Sequence, residues 1–261
     1  MTAKGTLCLT FDNMGRAREI GLGKAGAPDD QEPSLAIGYP RLLALLDELE
    51  LRGTFFLEGW NALHHADPVV DLVRRGHEVG LHGWVHEDFG NLDKLRVEQV
   101  LHDGTAAMRR IGVEPRGFRA PGGLRGPYAI PVLKQLGYRY DSSSDGTEAE
   151  ESGDFAGALE PRLLASGLAH VPWRNSMVDS RQYLRNETPP SPAELATRWK
   201  QMLDHAAERH CTMTLVIHAW VSGVDDARFA AVREVLAYAR RRTDLEFCTA
   251  GALADQVLAP Q

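Results

Sequence analysis

Short apolar runs alternate with amphipathic stretches along nearly the whole chain. The runs are Thr6 to Phe11, Gly53 to Leu57, Glu78 to His82, Gly117 to Arg119, Tyr138 to Asp141, Ala169 to Trp173, Thr212 to His218 and Leu245 to Cys248. Between them, apolar positions recur at helical period near 40–51, 67–75, 92–111, 127–136, 192–209 and 226–241. Several of these helices open on Pro or Asp and close on Gly, as at Asp67-Pro68 and Arg75-Gly76. Strand then helix, repeated in this way, predicts a parallel sheet with crossover helices, and a closed barrel is the arrangement that leaves no sheet edge bare. No linker, internal repeat or low-complexity tract divides the pattern, so residues 1–261 are expected to form one domain.

Polar groups stand where the predicted strands stop. Asp12 and Asn13 end the first run, His82 the third, Arg119 the fourth, Asp141 the fifth, Trp173 the sixth and His218 the seventh. In a β/α barrel these carboxyl ends converge on one face, where active sites are built. Strands do stop at polar residues for no functional reason, but that explanation weakens as the set grows.

Composition narrows the partners. The chain has 261 residues and a formal charge of -7, which argues against nucleic acid, an anionic membrane or a polyanionic substrate. No run is long and apolar enough to span a bilayer, and the N-terminal residues enter a strand without a signal-peptide core, so a cytoplasmic location is expected. Cys8, Cys211 and Cys248 are odd in number and lack CxxC spacing, which suits buried reduced thiols better than disulfides or metal ligands.

The sequence His82-Gly83-Trp84-Val85-His86 places two imidazoles four residues apart. On a helical turn that spacing brings Cβ atoms to roughly 5–6 Å, within reach of one ion. Alone it is weak, because ten histidines are scattered through the chain. Amide hydrolysis gives the other strand-end groups a common purpose. A divalent ion polarises the carbonyl and lowers the pKa of water from 15.7 toward about 7. A base within hydrogen-bond reach then takes the proton and an acid protonates the departing amine, a job that His218, with an ordinary pKa near 6.5, suits.

Five ordered segments resemble the motifs of the polysaccharide deacetylase family, also called NodB-homology or carbohydrate esterase family 4. They are Leu9-Thr10-Phe11-Asp12-Asn13, Gly53-Thr54-Phe55-Phe56, Gly76-His77-Glu78-Val79-Gly80 with His82 and His86, Phe118-Arg119-Ala120-Pro121-Gly122-Gly123, and Leu215-Val216-Ile217-His218. The stretch His170-Val171-Pro172-Trp173 with Val178-Asp179 is similar, more loosely, to the branch holding allantoinase-like and peptidoglycan-deacetylase-like members. The resemblance implies a distorted (β/α)7 TIM-like barrel, a divalent metal and hydrolysis of an N-acyl or related amide. It implies Asp12 as base, His82 and His86 as metal ligands, and Arg119 as the group that orients the base. It further implies His218 as acid with Asp179 holding its ring, and Pro121, Gly122 and Gly123 as groove wall.

Asn13 departs from the pattern, since many members use a second aspartate there as third ligand. An amide oxygen can coordinate but brings no negative charge, so metal affinity should fall while the ion becomes a stronger Lewis acid. The change leaves open that Asp12 is itself a ligand and that Glu87 or Asp88 is the base. Mixed nitrogen and oxygen donors suit zinc, with cobalt, nickel or iron as alternatives. Trp84, Trp173 and Trp220 adjoin the reactive groups and are candidates for a sugar platform, against the plainer role of core packing. His77 is expected to be structural, and His64 and His65 to be surface residues.

Two long connections, Met14 to Pro40 and the one from Asp141 to the acidic run Glu148-Ala149-Glu150-Glu151, are expected to set substrate choice. The leading expectation is an N-deacetylase for a small N-acyl substrate, an amino sugar or natural-product intermediate. A hydrolase of a cyclic ureide, imide or N-formyl group is the second reading, and a non-catalytic carbohydrate-binding relative the third. Self-association into a homo-oligomer is left open.

Overall fold

The structure is a computed structural model and describes residues 4–144 and 160–259. The acidic run at 148–151 lies outside the described residues. Among the described residues nine strands form one sheet: β1 (Gly5–Asp12), β2 (Thr54–Leu57), β3 (Glu78–Leu81), β4 (Gly117–Phe118), β5 (Tyr140–Asp141), β6 (Arg162–Leu163), β7 (Ala169–His170), β8 (Thr212–His218) and β9 (Leu245–Cys248). Their order is β6-β7-β5-β4-β3-β2-β1-β8, with β9 also on β1, and all neighbours are parallel except β6 and β7. The predicted distorted (β/α)7 barrel is therefore present as a curled parallel sheet.

β1 is the axis of the fold and is buried almost throughout, because a parallel strand covered on both faces reads as a continuous apolar run. Its alternation sorts two layers. Leu7, Leu9 and Phe11 pack outward in the main core with the crossover helices, while Cys8 joins an inner cluster with Phe56, Tyr140, Ala169 and Val171. Asp12 shares the inward parity of Cys8, which carries it to the barrel mouth.

The other end of the barrel is stopped by a helix that the periodicity does not reveal. Ala250–Leu258 contributes Ala250, Leu253 and Ala254 to the inner cluster, and Thr249 caps it by accepting from the Ala252 amide. Its first amides donate to Thr54 Oγ1 and Glu78 Oε2, both at 2.8 Å. Helices with strong capping match the sequence expectation closely. Pro192–Arg209 starts on a reciprocal Ser191–Glu194 capping box and ends at His210 in the left-handed conformation.

Between β7 and β8 the barrel wall has no ladder. It is joined by Thr214 Oγ1 donating to the Pro172 carbonyl at 2.7 Å and by an isolated bridge between Val178 and Val216. All three cysteines are free, Cys8 fully buried and the other two partly so. No described helix is long and apolar enough to cross a membrane.

Candidate active site

Asp12 and His218 are direct register partners on adjacent strands, so they leave the sheet side by side at its carboxyl edge. Both line a cleft of about 200 Å³, together with Asn13, His82, His86, Arg119, Gly122, Gly123, Trp173 and Trp220. Arg18, Arg181 and Arg185 complete the cleft on its outer side.

Arg119 crosses the inside of the barrel and is buried, with its guanidinium 4.3 Å above the Phe56 ring. It donates to Asp12 Oδ1 at 2.7 Å, Thr10 Oγ1 at 2.9 Å and Ser142 Oγ at 2.9 Å. Those contacts fix the Asp12 carboxylate in one orientation, with Oδ2 unbonded among the described residues.

His218 is held from the opposite wall. Its Nδ1 lies 2.6 Å from Asp179 Oδ1, and its backbone N–H donates to Asp179 Oδ2 at 3.0 Å. Asp179 is fully buried and also accepts from Ser222 Oγ and the Ser180 amide, both at 2.6 Å. Burial alone disfavours a charged ring, but Asp179 outweighs it through charge and hydrogen bonding, so the His218 pKa is raised above its ordinary value. Nε2 is then the nitrogen that carries a proton toward the cleft.

The two imidazoles meet, but not for the helical reason. Residues 82–88 form an irregular loop, in which Gly83 has φ 76° and His86 φ 71°. Glu87 shapes that loop by accepting from the Trp84 and Val85 amides at 2.9 and 3.1 Å, and the rings end 5.2 Å apart between centroids. His82 Nδ1 faces the Arg119 carbonyl at 2.8 Å, which leaves Nε2 for another partner. Burial lowers the pKa of both rings to about 3, so both are neutral at physiological pH.

These residues fit a divalent cation. Neutral imidazoles are the form that coordinates, and the Asn13 amide nitrogen is committed to Glu58 at 2.6 Å, which turns Oδ1 away from Glu58. Among the described residues no group of three or more His, Cys, Asp or Glu side chains is gathered as for an ion. Asp12 is committed to Arg119 through Oδ1, and Asn13, which lines the same cleft as the imidazoles, offers them an amide oxygen as a further donor.

Several expected residues lie elsewhere. Glu87 is occupied by its loop, and Asp88 caps the turn Phe89–Asn91, so neither lines the cleft as an alternative base. Asp141 is buried against Arg125 and Ser143 and serves as an internal anchor, although it ends a strand. Trp84 does not reach the cleft but packs on the main core, close to Gly59. Pro121 is buried and does not line the cleft, whereas Gly122 and Gly123 do. Gly123 has φ 97°, and a Cβ there would stand 2.4 Å from the Trp173 ring, so this face needs glycine twice over. Trp173 is pinned by its Nε1 to the Ser142 carbonyl at 2.9 Å, and Trp220 sets its ring edge-on to His218 at 5.8 Å. His65 is buried against Asp30 rather than exposed, while His77 accepts from the Gly53 amide as a structural residue.

Glu58, Tyr39 and Ser142 escape sequence reading, since none stands in a spaced metal or acid–base pattern. Glu58 follows β2 directly and is fully buried, which raises its pKa to about 7 against the lowering effect of its hydrogen bonds.

A family model described as polysaccharide deacetylase matches residues 1–140. The peptidoglycan deacetylase-like protein FGM2 of Gibberella zeae is 32% identical over 117 residues, which is 44% of this chain and 35% of that protein. The chain thus spans about a third of that relative's length. A crystallised Mycobacterium smegmatis protein assigned to the polysaccharide deacetylases superposes with a TM-score of 0.81 and 27% identity, covering 98% of this chain and 91% of its own. PuuE allantoinase gives a TM-score of 0.78 at 17% identity, with 95% and 88% covered, a likeness of fold.

Proposed function

The chain belongs to the polysaccharide deacetylase family, and from that premise we propose that it is a metal-dependent hydrolase removing an N-acetyl or related N-acyl group from a small amino-sugar-like amide. The observation that carries this reading is the register pairing of Asp12 with His218, each backed by a buried partner of opposite charge. A site that only binds sugar has no need for an acceptor and a donor of protons, separately braced, at one cleft.

When bound at His82, His86 and Asn13, a divalent cation, best suited as zinc, would polarise the acyl oxygen and acidify water. The chain's own residues then divide the proton traffic. Asp12 Oδ2 accepts the proton of the attacking water while Arg119 holds the carboxylate still. His218 Nε2 donates to the leaving nitrogen, and Asp179 stabilises the ring while it is charged. Trp173 and Trp220 offer apolar faces beside these groups and restrict water.

The cleft is below the ~300 Å³ at which pockets begin to bury drug-sized ligands, which favours one acylated unit over a deeply held polymer. Four arginines and one carboxylate line it, so a carboxylate on the substrate near the acyl group is favoured. The test is acetate release from neutral and from carboxylate-bearing N-acetyl amino sugars. Release should vanish after treatment with chelator and return with Zn2+ or Co2+. Undiminished release after complete metal removal would refute the metal-dependent mechanism.

The raised His218 pKa gives a second expected result. Turnover should fall on the alkaline side as pH rises through the folded-state value, and Asp179→Asn should move that limb to lower pH, measured as kcat against pH. In stability terms the sign is the same. The contribution of the His218–Asp179 pair is complete below the ordinary histidine pKa and is lost as pH rises through the raised one. An alkaline limb unmoved in Asp179→Asn would assign it to another group.

A further inference from the structure

Every hydrogen bond at the Glu58 carboxylate arrives from outside. Oε1 accepts from Asn13 Nδ2 at 2.6 Å, while Oε2 accepts from the Met14 amide at 3.2 Å and Asn61 Nδ2 at 2.8 Å. Glu58 is completely buried, so no solvent replaces these donors. The set asks for a group that only accepts, which is the property of an ionised carboxylate and not of an amide. On the other side, the Tyr39 hydroxyl donates to the Asn13 carbonyl at 2.5 Å and fixes the backbone where φ is 67°. Asn13 is left with one side-chain orientation, nitrogen toward Glu58 and Oδ1 away from it, at a residue that lines the cleft.

We infer that Glu58 is a positioning residue that presents Asn13 as an oxygen donor and carries, one hydrogen bond behind it, the negative charge that an aspartate at 13 would have brought. The inference rests on the proposal that Asn13 is a ligand. It makes positions 13 and 58 a matched pair with two compatible states, amide in front of carboxylate or carboxylate in front of amide. Asn13→Asp alone sets two carboxylates where a 2.6 Å donor–acceptor contact stands. Glu58→Gln alone aims an NH2 group at another N–H and frees the Asn13 amide to turn. With both changes, the side-chain nitrogen introduced by Glu58→Gln donates to the new carboxylate, and the oxygen beside it still accepts from Met14 and Asn61.

The experiment is a double-mutant cycle read as Zn2+ affinity by calorimetry and as the visible spectrum of the Co2+ form, with melting of the metal-free proteins. Glu58→Gln should bind Zn2+ about tenfold or more weakly, as for other residues behind metal ligands, whereas Asn13→Asp, which sets its new carboxylate against Glu58, should melt lower in the metal-free form without that loss of affinity. The double variant should return to within about threefold of the unmodified protein and regain its Co2+ spectrum. A single variant that fails to fold where the double folds supports the same coupling. Effects of the two changes that simply add, in affinity and in melting, overturn it. His82→Ala is the control for the underlying reading, since unchanged affinity there would remove the metal centre itself and the inference with it. A Zn2+-loaded crystal structure of the unmodified chain reads the point without any variant, with Asn13 Oδ1 on the ion and Nδ2 on Glu58. Asn13 turned the other way overturns the inference.

Discussion

Asp12→Asn is expected to lower kcat by roughly 10²–10⁴-fold with the cation still bound, the range in which positioned proton transfer contributes to catalysis. The substitution is nearly isosteric, and the asparagine Oδ1 can still accept from Arg119, so the fold should persist. What changes is the second atom of the side chain. Oδ2, which has no hydrogen-bond partner among the described residues, becomes an NH2 group that cannot take a proton from water. Metal content measured alongside turnover separates this outcome from loss of a ligand. Near-normal turnover with metal retained would remove Asp12 from the base role, and loss of the cation would make it a ligand.

Arg119→Met should cost about 3–5 kcal/mol of folding stability in urea denaturation, the range for stripping one partner from a buried ion pair. Methionine can fill much of the space above Phe56 but donates nothing. The Asp12 carboxylate, Thr10 Oγ1 and the Ser142 hydroxyl and carbonyl would all lose a donor inside the barrel. Pairing the change with Asp12→Asn should recover part of the loss, because the abandoned charge is then gone. A cost under about 1 kcal/mol would show that the barrel interior admits water to Asp12 and that Arg119 does not brace it.

The arrangement of strands was legible because burial on both faces writes itself as unbroken apolar runs, and Leu245–Cys248 and Thr212–His218 appear in the structure with the bounds the runs suggest. Long helices with chemical punctuation were equally plain, as at Pro192–Arg209. The short helices Gly59–His64, Asp179–Leu184 and Ala250–Leu258 were not, since fewer than three turns leave too few periods to count and tertiary contacts supply their stability. At the site, Asp12, Arg119, His218 and Asp179 came from strand ends and motif order. The imidazole pair was found by a spacing whose supposed cause, a helical turn, is absent. Asp141 and Trp84 show the limit of strand-end reasoning, since a polar terminus can turn back into the protein and an aromatic neighbour can pack beneath the loop. Glu58 could not be found by spacing at all, because its role depends on a contact across 45 residues.

The unladdered join between Pro172 and Thr214 has a further consequence for how this molecule can change. A ladder ties each residue to a register, so an insertion in one strand shifts every pair beyond it. Here the stretch carrying Trp173, Val178 and Arg181 meets β8 through one side-chain bond, one isolated bridge and the Asp179 carboxylate, so backbone between those contacts can lengthen without re-registering any strand. New specificities can be grafted at this seam around a retained Asp179 while Asp12 and His218 keep their places on neighbouring strands.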